Sequence, residues 1–252
     1  MYRCVVIADL HSGHKGGLTP PGRNIDSKFY EYTSRILWDW YAKTIDELQP
    51  IDLTICNGDA IDGKGERDGG IDQITTDRLE QCAIAEEAIR YTKAKKYILI
   101  RGTKYHVGKD ENWEDVLADR LGAVVGNHLW IEHGGIIIDC KHRVSSSIIP
   151  HGRHTAPARE ALWNTLHHEK GLQPNANILI RSHVHYYVHS GDAGKYVVTT
   201  PCLQVGSDYG DRICTGTIDL GFLVIDIDDQ GGYTCRPKLI DMAFTAPQIL
   251  HV

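Results

Sequence analysis

The stretch that decides the fold is Tyr2-Arg3-Cys4-Val5-Val6-Ile7-Ala8-Asp9-Leu10-His11, an apolar run followed directly by an acid and a histidine. Its continuous β-branched residues predict a buried strand over positions 2–8. Two later stretches repeat this design: positions 51–56 lead into Gly58-Asp59-Ala60-Ile61-Asp62, and positions 177–181 lead into His183-Val184-His185. In α/β proteins, segments distant in sequence assemble a site at the ends of buried strands. We therefore expect these three strand ends to meet.

The side chains at these strand ends are typical metal ligands. Asp59 follows a glycine, which leaves room in the turn, and His183 and His185 face the same way in an extended segment. Each motif also has an ordinary structural interpretation, as a turn-capping aspartate, an Asn-Gly-Asp turn or hydrogen-bonded core histidines. Aspartate together with histidine suits Mn²⁺, Fe or Zn²⁺ rather than Ca²⁺. The number of candidate ligands favours two ions over one.

Composition argues against a basic nucleic-acid-binding protein, a membrane protein and a secreted disulfide-rich protein. The chain has 252 residues and a net charge of −6, without a dense basic block, so composition gives no support for tight nonspecific binding to nucleic acid. It shows neither an apolar stretch of membrane-spanning length nor a signal-peptide pattern. Seven scattered cysteines without a Cys-x-x-Cys motif predict reduced thiols and a cytoplasmic location. They are Cys4, Cys56, Cys82, Cys140, Cys202, Cys214 and Cys235.

The order of predicted elements indicates one domain over residues 1–252, with two stacked sheets and helices outside. Strands and helices alternate early in the chain, and strand-like runs dominate after position 196. The predicted strands cover positions 2–8, 51–56, 96–100, 130–140 (a hairpin broken at Gly134-Gly135), 144–149, 177–181 and 221–227. The predicted helices cover positions 27–48, 75–94, 112–121 and 156–168.

Taken together, these motifs resemble the ordered blocks of the calcineurin-like metallophosphoesterases. The blocks are Asp9-x-His11, Gly58-Asp59-x-x-Asp62, Gly102 to His106, His151-Gly152 and His183-x-His185, and they span positions 4–190. The resemblance implies a four-layer α/β sandwich, in which two mixed β-sheets pack face to face with helices on both outer sides. It also implies a two-metal site that hydrolyses phosphate esters. We expect Mn²⁺, with Fe, Zn²⁺ or Ni²⁺ as alternatives.

The resemblance assigns ligands to each ion. One ion would be held by Asp9, His11, Asp59 and His185. The second would be held by Asp59 as a bridge, by His183 and by a histidine of the middle block. We expect that last ligand to be His151, because it follows the predicted strand 144–149 and precedes a glycine. His142 and His154 are the weaker alternatives.

The third block departs from the family pattern of Gly-Asn-His followed by an acid. Here the sequence is Gly102-Thr103-Lys104-Tyr105-His106, with Thr103 where the family has a metal-binding asparagine. Thr103 is a candidate ligand through its hydroxyl or carbonyl oxygen, and a water could fill the same place. His106 is the candidate catalytic histidine, two positions later than in the family. Asp62 is expected to support catalysis by orienting a ligand histidine.

These features predict a metal-dependent phosphoesterase, and within that class a phosphodiesterase that acts on a nucleotide or a nucleic acid without a membrane partner. A phosphomonoesterase or protein phosphatase is the near alternative. A catalytically idle metal-binding protein of the same fold is another, supported by the altered third block. A third alternative is an unrelated α/β protein in which the motifs are turns and core histidines. Arg153 is a candidate phosphate-binding residue, although its position favours a solvated arginine.

Overall fold

The computed structural model describes residues 1–66, 69–108, 111–147, 149–206 and 217–242. Its strands are β1 (Tyr2–Ile7), β2 (Leu53–Cys56), β3 (Lys96–Ile100), β4 (Val124–Gly126), β5 (His128–His133), β6 (Ile136–Arg143), β7 (Ile178–Ser182), β8 (Val188–Gly191), β9 (Tyr196–Thr199), β10 (Leu220–Ile227) and β11 (Tyr233–Ile240). Its helices are α1 (Lys28–Glu47), α2 (Arg78–Arg90), α3 (Lys104–Val107), α4 (Trp113–Leu121) and α5 (Thr155–Glu169), with a 3₁₀ turn at Pro150–His154.

The strands form two mixed sheets. The first has the order β11-β10-β1-β2-β3-β4, with β1 to β4 parallel and β10 antiparallel to both of its neighbours. The second has the order β5-β6-β7-β9-β8, with β6, β7 and β9 parallel and the two edge strands antiparallel. The carboxyl ends of β1, β2 and β3 therefore share one edge of the first sheet, and those of β6 and β7 share one edge of the second.

The two sheets pack face to face through an apolar core. Alternate side chains of a strand point to opposite faces, so each strand contributes one set of residues to this core and another to the outer layer. On β1, Cys4 and Val6 face the second sheet, whereas Val5 and Ile7 face the helices. On β7, Ile180 faces inward, whereas Leu179 belongs to a small cluster on the outer side.

Helices cover both outer faces. α1, α2 and α4 pack on the first sheet, where buried residues recur along α1 at Leu37, Tyr41 and Ile45, the four-residue spacing of one helix face. α5 lies over the outer face of the second sheet and contacts β7, β8 and β9. Because the layers are helix, sheet, sheet and helix, the predicted four-layer sandwich is confirmed.

One predicted strand is wrong, and its error affects the site. Positions 144–147 lie outside any strand, while the preceding strand β6 runs on to Arg143, further than the predicted hairpin. Position 148, in the predicted strand, and Cys214 fall outside the described residues. The last pairing of β6 with β7 joins Arg143 to Ser182. After the buried Val144, the run Ser145 to Ser147 offers no apolar side chains that would continue the strand. His142 is thus a strand residue.

In the described part of the chain, no helix combines the length and apolar character required to cross a membrane.

Candidate metal centre

The candidate site lies where the ends of five strands from both sheets meet. Past its own end, β1 stays in register with the segment after β2, since the amides of Asp9 and His11 donate to the carbonyls of Gly58 and Asp59, each at 3.0 Å. The second sheet joins them through the backbone amide of His183, which donates to Asp9 Oδ2 at 3.1 Å. The three motifs chosen from the sequence are therefore neighbours in the fold.

Three groups of side chains offer ligand atoms within 4.8 Å of one another among the described residues. We call the first the Asp9 cluster (Asp9, His11 and His185) and the second the Asp59 cluster (Asp59, His142 and His183). The third group joins His11 to Asp62 and His106.

The Asp9 cluster has a buried oxygen with no hydrogen-bond partner. Asp9 Oδ1 is completely buried and accepts no hydrogen bond from the described residues, although His185 Nε2 lies 3.3 Å away. His11 Nε2 lies 3.3 Å from His185 Nε2 and 4.0 Å from Asp9 Oδ1. Burial would raise the pKa of Asp9, but the imidazoles of His185 and His142 outweigh it and lower that pKa. Two ring nitrogens and one oxygen therefore converge on one point.

The Asp59 cluster is already well supplied with hydrogen bonds. Asp59 Oδ2 lies 3.0 Å from His142 Nε2 and 4.0 Å from His183 Nδ1. Burial alone would lower the pKa of His142, but the Asp59 carboxylate outweighs burial and raises that pKa to about 10. The pKa of Asp59 is held well below its usual value, because His142 and His106 outweigh the effect of its burial. The side chain of His183 is 36% exposed, the most of any member of the two clusters.

Asp62 orients two histidines. Its Oδ1 lies 2.8 Å from His11 Nδ1, which leaves His11 Nε2 for the Asp9 cluster. His106 Nδ1 contacts the backbone carbonyl of Asp62 at 2.8 Å, and its ring meets that of His11 edge to face at 4.5 Å. Burial opposes charge on His106, but Asp59 and Asp62 raise its pKa to about 9. Asp62 is itself held by the side-chain amide of Gln73, a residue that the sequence analysis missed.

Thr103 contacts the Asp59 carboxylate. Its backbone amide donates to Asp59 Oδ1 at 2.6 Å, and its hydroxyl lies 3.1 and 3.2 Å from the two carboxylate oxygens. Gly102 passes so close that an added Cβ would lie 2.1 Å from Asp59 Oδ1. The third block therefore fixes the orientation of Asp59, whether or not Thr103 also touches a metal.

The structure corrects the choice of the middle histidine. His151 is exposed on the 3₁₀ turn and belongs to none of the ligand groups found in the described residues. His142 takes the expected place: its Nε2 contacts Asp59, while its Nδ1 contacts the carbonyl oxygen of Asn57 at 2.7 Å. An added Cβ on Gly58 would lie 2.4 Å from His142 Nδ1, so that ring requires the glycine before Asp59. The mistake follows from the wrong strand at 144–149, because the sequence argument placed the histidine after it.

The backbone at the site is strained. Six described non-glycine residues have positive φ, and five of these are Asp9, His11, Asp59, His183 and His185, with φ from 46° to 76°. The left-handed region costs a side-chain-bearing residue about 1–3 kcal/mol, and such residues cluster at functional sites. Five of the six described positions with positive φ are therefore members of the two clusters, and the sixth is Lys93.

The donor set fits a transition metal ion. Ligand atoms that share one ion at about 2.0–2.2 Å lie roughly 3–3.5 Å from one another. The contacts of His185 Nε2 with Asp9 Oδ1 and His11 Nε2 are both 3.3 Å. A cation would also satisfy Asp9 Oδ1, whose burial without a partner costs about 1–3 kcal/mol or more. The two clusters are adjacent, since Asp9 Oδ1 lies 4.0 Å from His142 Nε2.

Comparison with known proteins finds structural neighbours. Vps29 of Entamoeba histolytica, in the structure of a single mutant, has a TM-score of 0.47 and 15% identity over 95% of this chain and 99% of that one. Wild-type Vps29 of the same organism in complex with Zn²⁺ has a TM-score of 0.45 and 16% identity over 94% and 98%. A novel archaeal phosphodiesterase has a TM-score of 0.47 and 12% identity over 94% and 99%. No protein-family model and no curated protein matches the chain.

At TM-scores below 0.5 and identities of 12–16%, these likenesses carry no conclusion about this chain. The assignment of function therefore depends on the side chains at the site.

Glu114 is the second residue that the sequence analysis missed. It belongs to the first turn of α4, is almost completely buried, and accepts hydrogen bonds from the backbone amides of Ala60 and Gly102. Burial, and then the Asp59 charge, raise its pKa to about 7. An acid in the first turn of a helix is ordinary, so the sequence contains no signal that distinguishes Glu114 from a solvated residue.

Arg153 lies beside the segment that carries His185. Its guanidinium carbon is 4.3 Å from the centroid of the Tyr186 ring, and its Nη1 lies 3.2 Å from the hydroxyl of Thr217. Tyr186 directly follows His185 in the chain. The role of Arg153 in binding substrate remains a prediction.

Proposed function

We propose that this protein is a dinuclear metal-dependent phosphoesterase of the calcineurin-like type. The observation that carries the proposal is the buried Asp9 Oδ1, which lies among three imidazole nitrogens and lacks a hydrogen-bond partner in the described chain. We propose Asp9, His11 and His185 as ligands of one ion and Asp59, His142 and His183 as ligands of the other. Asp59 as a bridge between the ions and Thr103 as a ligand belong to the same proposal.

Divalent ions held by the Asp9 cluster and the Asp59 cluster would neutralise phosphate charge and would activate a water as the nucleophile. The protein's own residues orient the metal ligands and protonate the leaving group. Asp62 holds His11 with Nε2 directed at the Asp9 cluster. His106 is anchored through Nδ1, so its Nε2 is available to protonate a departing alkoxide, an effect of about 10²–10⁴-fold in rate. Its pKa of about 9 would fall beside bound cations, toward the range in which general acids work best.

Within this class we propose a phosphodiester of a nucleotide or nucleic acid as substrate, and Mn²⁺ as the metal. Fe, Zn²⁺ and Ni²⁺ are alternatives that the same donor set accepts. The preference for a diester rests on the motif resemblance. A nuclease activity and a cytoplasmic location remain predictions from the sequence.

A catalytically idle metal-binding protein is the second candidate, and one observation favours it. Thr103 offers Asp59 a hydrogen bond where the family pattern has an asparagine ligand. In this alternative, Mn²⁺ would raise thermal stability while no phosphate ester is cleaved.

The test is hydrolysis of bis(4-nitrophenyl) phosphate and 4-nitrophenyl phosphate by purified protein with Mn²⁺. We expect the diester to be cleaved faster. We expect Asp59→Asn to lower kcat by about 10³-fold or more, since metal stabilisation of the transition state is worth several kcal/mol and each 1.4 kcal/mol is tenfold. Asp39→Asn, at an exposed carboxylate on α1, is the matched control and should keep full activity.

The other outcomes separate the alternatives. Faster cleavage of the monoester favours a phosphomonoesterase. Metal binding without cleavage of either ester, with Fe²⁺, Zn²⁺ and Ni²⁺ also tried, favours the idle protein. Failure of freshly supplemented protein to bind any of these ions would reject the metal centre itself.

A further inference from the structure

Glu114 is a buried acid at a place where helices normally present acids to solvent. It lies in the first turn of α4, two residues after the N-cap Asn112, and only 1% of its surface is exposed. A buried carboxylate is costly unless hydrogen-bond donors compensate it. The negative charge of Asp59 repels a charged Glu114 and adds to the free-energy cost of burying it.

The two oxygens of Glu114 accept hydrogen bonds from two different loops. Oε1 accepts from the backbone amide of Ala60 at 3.0 Å, and Oε2 accepts from that of Gly102 at 2.5 Å. Ala60 directly follows Asp59 after β2, and Gly102 directly precedes Thr103 after β3. One carboxylate therefore ties together the loops that follow β2 and β3.

The orientation of the Asp59 carboxylate depends on the distance between these loops. Asp59 has a left-handed backbone, with φ of 51°, and its side chain accepts hydrogen bonds from the amide and hydroxyl of Thr103 across the gap. Gly102 fits against Asp59 only because it lacks a Cβ. A small separation of the loops would break the contacts of Asp59 with Thr103 and turn its carboxylate away from His142.

We propose that Glu114 is a positioning residue of the metal centre, which holds Asp59 in the geometry that binds the second ion. The inference rests on the proposed function, because it assumes that the Asp59 cluster binds metal. Glu114 acts through the backbone of both loops. A carboxylate suits this role because it presents two acceptors to two donors.

The variant that tests the inference is Glu114→Gln. Glutamine keeps the size of the side chain but has one carbonyl oxygen and one NH₂ group. It can therefore accept a hydrogen bond from only one of the two backbone amides, and its NH₂ group would face the N–H of the other. Glu114→Asp keeps both acceptors but withdraws them by one methylene. Asp119→Asn removes an exposed carboxylate from the same helix and is the matched control.

The measurement is isothermal titration of each folded, metal-free protein with Mn²⁺, well below its unfolding temperature. Residues that support metal ligands typically contribute 10–100-fold to affinity. We therefore expect Glu114→Gln to raise the Kd of the weaker Mn²⁺ step by about 10–100-fold, and to raise that of the tighter step by less, since Asp9, His11 and His185 still hold that ion. The step that Glu114→Gln weakens most should be the one that His142→Ala removes. Glu114→Asp should have an intermediate Kd, and Asp119→Asn should match the wild type.

A structural role alone would lower the unfolding temperature of the metal-free protein without changing either Kd, and that result would overturn the inference. If Glu114→Gln does not fold, the Kd of Glu114→Asp decides, and a wild-type value overturns the inference. Wild-type protein that binds no Mn²⁺ would instead reject the proposed function, and the inference with it. Two normal Mn²⁺ steps in Glu114→Gln would reject the inference and leave the proposed function intact.

Discussion

The Asp9 cluster and the Asp59 cluster have similar side chains but differ in how well hydrogen bonds satisfy them. In the Asp9 cluster one carboxylate oxygen has no hydrogen-bond partner among the residues that the structure describes, and two ring nitrogens face each other at 3.3 Å. In the Asp59 cluster both carboxylate oxygens already have partners, Thr103 and His142. A cation at the Asp9 cluster therefore fills an unmet requirement, whereas one at the Asp59 cluster must displace a proton and a hydrogen bond.

The exposure of the ligands strengthens this contrast. His11 is almost fully buried, whereas His183 is 36% exposed and has more freedom to lose on binding. Two clusters with the same number of ligands can therefore differ in metal affinity, because their hydrogen bonding and exposure differ. We expect the Asp9 cluster to bind the tighter of two ions.

Among the variants that compare the two clusters, the largest effect is expected from deleting one histidine of each cluster. His185→Ala should abolish the tight Mn²⁺ step, and His142→Ala the weak one. Each should lower kcat by more than about 100-fold, since even residues that only support ligands contribute 10–100-fold. Calorimetric titration and diester hydrolysis measure both effects.

The control for this pair is His151→Ala. His151 is exposed and outside both clusters, so both Mn²⁺ steps and the rate should stay unchanged. Loss of a Mn²⁺ step in His151→Ala, with normal binding in His142→Ala, would restore the ligand first predicted from the sequence.

A smaller effect is expected from pH on the metal-free protein. The pKa of His142 is about 10 in the folded protein and about 6.5 when unfolded, so its ion pair stabilises fully below pH 6.5 and is lost as pH rises toward 10. Asp59, with its lowered pKa, contributes stability that is lost only under acid conditions. The unfolding temperature should therefore fall between pH 6.5 and 9, by about 2–4 °C for each kcal/mol lost.

Thermal unfolding of wild type and His142→Ala across this range checks the effect, with His151→Ala as the control. The slope should be smaller in His142→Ala and unchanged in His151→Ala. Mn²⁺ affinity should change in the opposite sense and rise with pH, because an imidazole ligand must be deprotonated. An equal slope in wild type and His142→Ala would contradict the ion pair with Asp59.

The smallest effect is expected at Arg153, which stacks on Tyr186 beside the Asp9 cluster. Arg153→Met keeps the aliphatic part of the side chain and removes the charge. We expect KM to rise about 2–5-fold at constant kcat, because exposed ion pairs contribute about 1 kcal/mol or less. Steady-state kinetics with the diester measures this change, and Arg35→Met, on the exposed side of α1, is the control. A fall in kcat at constant KM would show that Arg153 does not act by binding substrate.

Much of the fold could be predicted from the sequence. Continuous β-branched runs and four-residue helical spacing depend only on neighbouring residues. The central strands of both sheets and the four described helices longer than one turn follow from them. The short helix α3 escaped prediction because a four-residue helix carries almost no periodicity. The edge strand β4, of three residues, escaped for the same reason.

The candidate site also has one part that the sequence predicted and one part that it did not. By itself, the sequence determined which strand ends carry the acids and histidines, because the residue types and their spacing are local. Only the tertiary structure decided that His142 rather than His151 joins Asp59, since the end of β6 is set by its pairing with β7. Only the tertiary structure places Glu114 against the loops that follow β2 and β3, because α4 must first pack against the sheet. Contacts of this kind depend on which backbone groups lie side by side after folding, and no local pattern in the chain encodes them.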